Sequence, residues 1–438
     1  MNITQLIDSY KEQMLSDLAE LVAVPSVSAE PDGDAPFGNE CRRALDKFLS
    51  IAQKLGFDTV NYDNYAGSAQ LGSGKPELGI LGHLDVVPVT ADDWATPPFT
   101  MTIKDGKAFG RGTIDDKGPT VAALYAMKAV QDAGLLNKPV RLIVGCSEET
   151  GSELDIEHYM KCAEMPPMVF TPDAEFPLIN GEKGMIRGEF TQALADDILV
   201  SLNAGTVVNA VPSKATAVVK NIDMAKLPQI PQLTAEKEGS TVKLTCTGKA
   251  AHASTPADGE NALTMLIGVL AELGAEPMKQ LADIFKHGEC TFTTANGGAL
   301  TYVFSVAEYD GSTFTGRFDI RYPFGSTKEH IFGRITPVFE KLGYKISFPT
   351  ANNPHHVDEN SRFVQTLLKA YHEETGLEAA CQTCGGGTYV HEIDGGVAFG
   401  PEFPGENSNL HSSDEFISID NFFKCAKIYA RAIAELCG

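Results

Sequence analysis

Three short apolar runs in this chain, Leu78–Leu81, Val140–Val144 and Met168–Phe170, read as buried strands, and each leads straight into residues that bind cations. The first reaches His83, the second the adjacent pair Glu148 and Glu149, and the third Asp173. Such runs demand an open α/β sheet, because in that fold sites form just beyond the carboxyl ends of the strands. Two more residues have comparable settings, Asp115 in the glycine-rich turn Gly110–Pro119 and His411 in the loop Asn409–Phe416, so that four strand ends and a loop are expected to place their acids and imidazoles at the same edge of one sheet. For His411 to join the others, the chain must leave this sheet and return to it. If all five converge they hold two divalent ions, and the chain is a hydrolase.

Each setting has an ordinary reading beside the functional one. In Gly82–Pro88, residues i and i+2 of a strand share a face, so Asp85 is placed to orient the His83 ring, as carboxylates do behind metal-bound imidazoles. His-x-Asp alone fits a core histidine as well. At Asp115-Asp116 two acids precede the helical run Val121–Ala133, where either can cap the free N–H groups. Asp116 is the expected cap and Asp115 the expected ligand, since a carboxylate can bridge two cations. Glu148 and Glu149 diverge as successive side chains do, which leaves one free to move protons while the other binds. His411 taken alone fits a loop histidine.

The 438 residues exceed the size at which one hydrophobic core keeps growing, so two domains are expected. A formal net charge of −23 argues against nucleic-acid or anionic-membrane partners. No apolar run approaches the ~20 residues of a spanning helix. Nine scattered cysteines and an amino end without signal-peptide character place the chain in the reducing cytoplasm. Cys381 and Cys384 form the one close pair and read as ordinary thiols, because no second pair completes a zinc site. Gly74-Lys75 lacks the remainder of a Walker sequence, and there is no Gly-x-Ser-x-Gly elbow.

Helical spacing covers Ile3–Val22, ending near Pro25, and Glu40–Leu55; from there to Phe170 strands and helices alternate. Between residues 188 and 355 the pattern becomes β-rich, as in Ser240–Leu244 and Gly316–Arg321, and resumes helical periodicity after Asn360. The expected fold is α/β. A discontinuous catalytic domain, residues 1–187 and 356–438, has a mixed, mostly parallel sheet flanked by helices, and an α+β lid domain, residues 188–355, is inserted in it.

The strings Gly82–Pro88, Gly110–Pro119, Ser147–Gly151, Pro172–Pro177 and Gly385–Tyr389 resemble the motifs of the dinuclear-zinc aminoacylase, carboxypeptidase G and dipeptidase superfamily. The likeness runs almost end to end and is nearest to the bacterial dipeptidase V, or Xaa-His dipeptidase, branch. It implies that Asp115 bridges two ions, that His83 and Asp173 complete one shell and Glu149 and His411 the other, and that Glu148 is the general base with Asp85 behind His83. It also implies a cis peptide between Asp115 and Asp116. In the inserted domain it makes His252, in Gly248–Pro256, the group that stabilises the oxyanion once domain closure completes the site. Asn209 and Arg321 become substrate contacts, and Gly386, Gly387 and Thr388 a substrate-cradling loop. Read alone, Arg321 is a surface ion pair.

The expected activity is hydrolysis of short peptides with a free amino end, Xaa-His dipeptides included, by a metal-bridging water. The expected cofactors are two divalent ions, Zn2+ first and Mn2+ or Co2+ next. A monomer is expected, since the inserted lid stands in for a partner subunit. A deacylase or carboxypeptidase of the same superfamily would share every ligand, and a non-catalytic metal- or peptide-binding protein would keep the fold without turnover.

Overall fold

The computed structural model describes residues 2–287 and 300–438. They form two compact units, one comprising Met1–Gly181, His356–Thr383 and Gly387–Gly438, the other Glu182–His355 and Cys384–Gly386. A boundary at residue 187 would cut the strand Gly184–Ala193, which pairs along its whole length with Thr313–Tyr322, so the second unit begins earlier than the sequence pattern indicates. It also takes in Cys384–Gly386, from the glycine run.

The first unit is built on a mixed sheet containing β1 (Asp58–Tyr62), β2 (Ala66–Leu71), β3 (Leu78–His83), β6 (Val140–Gly145) and β7 (Met168–Thr171), in the spatial order β1-β2-β6-β3-β7. The short strands β4 (Thr102–Lys104) and β5 (Lys107–Phe109) form a separate small sheet with Phe416–Ser418. β3 runs parallel to both β6 and β7, and β7 runs parallel to Gly396–Ala398, whereas β1 and β2 are antiparallel additions. Every residue of β3 is buried, as expected for a central parallel strand covered on both faces.

Helices α1 (Ile3–Val22), α2 (Asn39–Lys54), α3 (Lys117–Asp132) and α4 (Leu154–Cys162) are joined by Arg362–Thr375 and Ile419–Cys437. α1 begins with a capping box, the Asn2 side chain accepting from Gln5 N–H while the Gln5 side chain accepts from Asn2 N–H, and it ends just before Pro25. Its buried face is Leu6, Ile7, Met14, Leu18, Leu21 and Val22, with Asp17 held beside them by the Tyr125 hydroxyl at 2.6 Å. α3 starts four residues before the helix expected at Val121, and its first residue, Lys117, is fully buried with its ammonium on the Val24 carbonyl at 2.8 Å.

The second unit carries an antiparallel sheet in the order Leu233–Glu238, Thr241–Thr247, Lys214–Lys220, Leu199–Ala204, Thr301–Tyr309, Thr313–Tyr322, Gly184–Ala193, Lys345–Ala351. Burial alternates along most of Gly184–Ala193, so one face is apolar. Leu263, Leu266, Ile267 and Leu270 of Ala262–Glu272 and Ile331, Ile335 and Phe339 of Lys328–Lys341 share a core with Phe190, Phe314 and Phe318 from that face. Among the described residues no helix is long and apolar enough to cross a membrane.

Candidate metal centre

The register of the parallel strands sets the site. His83, the last residue of β3, lies level with Gly145, the last of β6, after which the chain turns through Cys146 and Ser147 into the 3-10 turn Glu148–Thr150. Asp173 follows β7 by two residues. Three adjacent strand ends therefore deliver an imidazole and three carboxylates to one edge. Asp115 arrives differently from the shared sheet edge that the sequence indicates: it sits in the loop between β5 and the start of α3, ahead of a helix N-terminus. His411 comes from a turn in which it, Asn409 and Asp414 all have positive φ.

These five residues meet in two groups that share Asp115. His83 Nε2 is 2.9 Å from Asp115 Oδ1 and 3.5 Å from Asp173 Oδ2. His411 Nε2 is 2.8 Å from the other oxygen, Asp115 Oδ2, and 3.1 Å from Glu149 Oε2. Within each group the donor atoms lie within 4.8 Å of one another. His83 Nε2 and Asp115 Oδ1 are both buried and, although close, make no hydrogen bond. Leaving such a pair unsatisfied costs about 1–3 kcal/mol per group, so lone pairs that converge without sharing a proton fit a cation between them.

The electrostatics agree. Burial, followed by the neighbouring Asp173 charge, pushes the Glu148 carboxyl well above its usual range, and burial with the Asp115 charge raises Glu149 and Asp173. For Asp115, burial is outweighed by the adjacent His411 and His83 imidazoles, and its carboxyl is held below the usual range. Asp115 and Glu149 push His411 up to about 11. His83 is raised too, its burial outweighed by Asp173, Asp115 and Asp85. The cluster calls for positive charge at its centre, and the three carboxylates and two imidazoles of the donor groups suit two divalent ions.

Polar contacts behind the cluster fix it in place. His83 Nδ1 bonds the Asp85 main-chain carbonyl at 3.0 Å, while the Asp85 carboxylate stands 3.5 Å from that nitrogen. The carboxylate instead accepts from the N–H groups of Glu148 at 3.2 Å and Glu149 at 3.1 Å. Asp116 occupies the N-cap position of α3, but its side chain makes no cap bond; it accepts from His83 N–H at 3.1 Å and Thr120 Oγ1 at 3.0 Å. A side chain at Gly82 would collide with that carboxylate and with the Thr120 hydroxyl, which is why this strand position is glycine. The Asp115–Asp116 bond is cis.

Several supporting residues have no signal in the sequence that singles them out. Asp155 accepts from Cys146 N–H at 2.7 Å, Ser147 N–H at 2.9 Å and the Tyr389 hydroxyl, locking the turn before Glu148. Glu415, fully buried, accepts from Arg111, from Gly112 N–H at 2.9 Å and from Ile114 N–H at 3.1 Å. Arg111 also reaches the Ser412 carbonyl, so this ion pair ties the Asp115 loop to the His411 loop. Glu415 and Arg111 lie 304 positions apart in sequence, and their pairing becomes visible only in the fold.

A family model described as "Peptidase family M20/M25/M40" matches residues 79–435. The chain belongs to this family. A Staphylococcus aureus relative named "Putative dipeptidase" is 36% identical over 98% of each chain, and one from Bacillus subtilis, "Putative dipeptidase YtjP", is 35% identical over 97% of each. Human carnosine dipeptidase 1 shares the fold with a TM-score of 0.61 and 17% identity, covering 99% of this chain and 98% of its own. An aminoacylhistidine dipeptidase from Vibrio alginolyticus does so at 0.58 and 14%, covering 97% and 96%.

In the second unit of this M20 chain, Ala210–Val211 pairs with Ala251–His252, setting Ala210 opposite His252, and the Asn209 carbonyl accepts from Ala253 N–H at 2.9 Å. His252 Nδ1 lies 2.6 Å from the Ser254 hydroxyl and 3.2 Å from the Ser254 N–H, which donates to it. Arg321 is buried and already committed: Nε and Nη2 grip Asp319 at 2.7 and 3.2 Å, and Nη1 donates to the Gly385 carbonyl at 2.9 Å. The surface ion-pair alternative for Arg321 is thereby corrected, and one edge of its fork is already used. Gly385 packs against Ser254, Gly386 has open space around it, and Thr388 precedes the 3-10 turn Tyr389–Glu392.

Proposed function

We propose that this chain is a metal-dependent dipeptidase acting on short peptides with a free amino end, Xaa-His dipeptides among them. The observation that carries the reading is the division of Asp115, whose two carboxylate oxygens each face a different imidazole and a different second carboxylate. Asp115 would bridge two ions, with His83 and Asp173 on one and Glu149 and His411 on the other. The names of the M20 relatives support dipeptides as substrates. Imidazole and carboxylate donors without sulfur suit zinc first and manganese or cobalt next.

Such ions, when bound, lower the pKa of a coordinated water and polarise the scissile carbonyl. Glu148, adjacent to a ligand yet outside both donor groups, takes the proton from the attacking water and returns it to the leaving amine. Asp85 holds the Glu148 and Glu149 amides, so base and ligand are aimed by one carboxylate. His252 donates to the oxyanion, a contribution of about 3–4 kcal/mol per donor in other enzymes. Asn209, Arg321, Gly386, Gly387 and Thr388 orient the peptide ends. The protein acts as a monomer in the cytoplasm, where its thiols stay reduced.

The test is a panel of β-alanyl-histidine, Leu-Leu, N-acetyl and N-succinyl amino acids, assayed with metal-stripped and metal-restored protein. Dipeptide turnover that returns with metal is the expected result. Preference for the acylated amino acids would make this a deacylase, and dipeptide binding without turnover in the restored protein would make it a binding protein.

A further inference from the structure

We propose that Asp63, His158 and Cys162 form a separate binding site for one zinc-like divalent cation. The three donors lie within 4.8 Å of one another and share no residue with the M20 centre. His158 and Cys162 occupy positions i and i+4 of α4, so they project from the same face of the helix. Asp63 comes from the three-residue turn between β1 and β2, where it and Asn64 both have positive φ and Tyr65 N–H closes onto the Tyr62 carbonyl at 3.0 Å. Asn64 pins that turn through its own hydrogen bonds, its N–H to Asn61 Oδ1 at 2.8 Å and its side-chain amide to the Asp34 carbonyl at 2.8 Å.

The geometry is close to that of a filled site. His158 Nε2 is 3.0 Å from Asp63 Oδ2 and 3.6 Å from Cys162 Sγ. With Zn–N near 2.0 Å, Zn–O near 2.1 Å and Zn–S near 2.3 Å, tetrahedral angles separate nitrogen and sulfur by about 3.6 Å and nitrogen and oxygen by about 3.4 Å. The first edge already has that length, and the second requires a shift of a few tenths of an ångström by an Asp63 side chain that is 78% exposed. A plain His–Asp ion pair accounts for two of the three groups. It does not account for a thiol directed at the same Nε2, which has at most one proton to give.

The ring is also held in position. Tyr65 stacks flat on the His158 imidazole, with centroids 4.3 Å apart and planes 14° apart, and Phe37 packs edge-on against Tyr65. The donors therefore meet around an imidazole whose orientation the fold sets rather than solvent. Binding takes the cation on Nε2 of the neutral ring, on an Asp63 oxygen and on the Cys162 thiolate; the thiol proton leaves to solvent, and a fourth position stays open to water. Filling the site staples the β1–β2 turn to the last residue of α4, the helix that follows the Glu148–Thr150 turn.

Cobalt separates this site from the other centre, because only a sulfur ligand gives a thiolate-to-cobalt charge-transfer absorption in the near ultraviolet. Reduced full-length protein titrated with Co2+ should develop this band in step with about one equivalent of cobalt. Cys162→Ser should remove the band and one bound cobalt while leaving peptidase activity unchanged, and Asp63→Asn should weaken cobalt binding at the band at least tenfold. The band reads this site whether or not the His and carboxylate centre fills. Absence of the band at saturating cobalt, or its survival in Cys162→Ser, would overturn the proposal.

Discussion

Asp85→Ala tests whether one buried carboxylate organises the base and a ligand together. Asp85 is fully buried and accepts from two main-chain N–H groups, Glu148 at 3.2 Å and Glu149 at 3.1 Å. Hydrogen bonds to a charged group contribute about 1.5–3 kcal/mol each. Both bonds are long for charge-assisted ones, so the lower end applies and the pair amounts to about 3 kcal/mol. Asp85→Asn keeps one acceptor oxygen and should lose about half of that. The assay is urea denaturation of metal-stripped protein, following the transition of the unit that contains Asp85, because two units need not unfold together. In parallel, metal affinity measured against a chelator should fall about 10–100-fold for Asp85→Ala, as a ligand-bearing turn loses its anchor. Stability within about 0.5 kcal/mol of wild type, together with unchanged metal affinity, would refute the anchoring role.

Glu148→Gln should retain its metal, measured by elemental analysis, while hydrolysis falls about 10²–10⁴-fold; full activity in the loaded variant would remove Glu148 as the base. Glu415→Gln keeps acceptors for the Gly112 and Ile114 amides but loses the charge opposite buried Arg111, so metal affinity in chelator competition should drop about tenfold. Arg321→Lys forfeits the two-point grip on Asp319 and should raise KM for dipeptides more than it lowers kcat, with a smaller effect on C-terminally amidated substrates. Because imidazoles must be neutral and carboxylates ionised to bind, protons compete with metal; affinity should weaken as pH falls, read by metal release at a series of pH values.

Much of the arrangement is legible in the sequence because it is local. Apolar runs mark β3, β6 and β7, and the polar residue that ends each run marks the site edge. The capping box and Pro25 bound α1 within the sequence itself. Asp116 is less legible. Its place before a helix suggests a cap, yet its carboxylate turns to the His83 amide, a partner set by the packing of α3 against β3. The start of α3 is obscured for a similar reason, since glycine and proline at Gly118 and Pro119 disguise a first turn whose Lys117 ammonium donates to the distant Val24 carbonyl. The Arg111–Glu415 pair and the Asp155–Tyr389 lock join segments far apart in the chain, and no local pattern announces such partners.

The most direct measurement is a crystal structure of protein loaded with zinc, with anomalous scattering recorded at the zinc edge. The account predicts two peaks about 3.5–4 Å apart with an Asp115 oxygen on each, one flanked by His83 and Asp173 and the other by Glu149 and His411. A single peak, or two peaks that do not share Asp115, would contradict it.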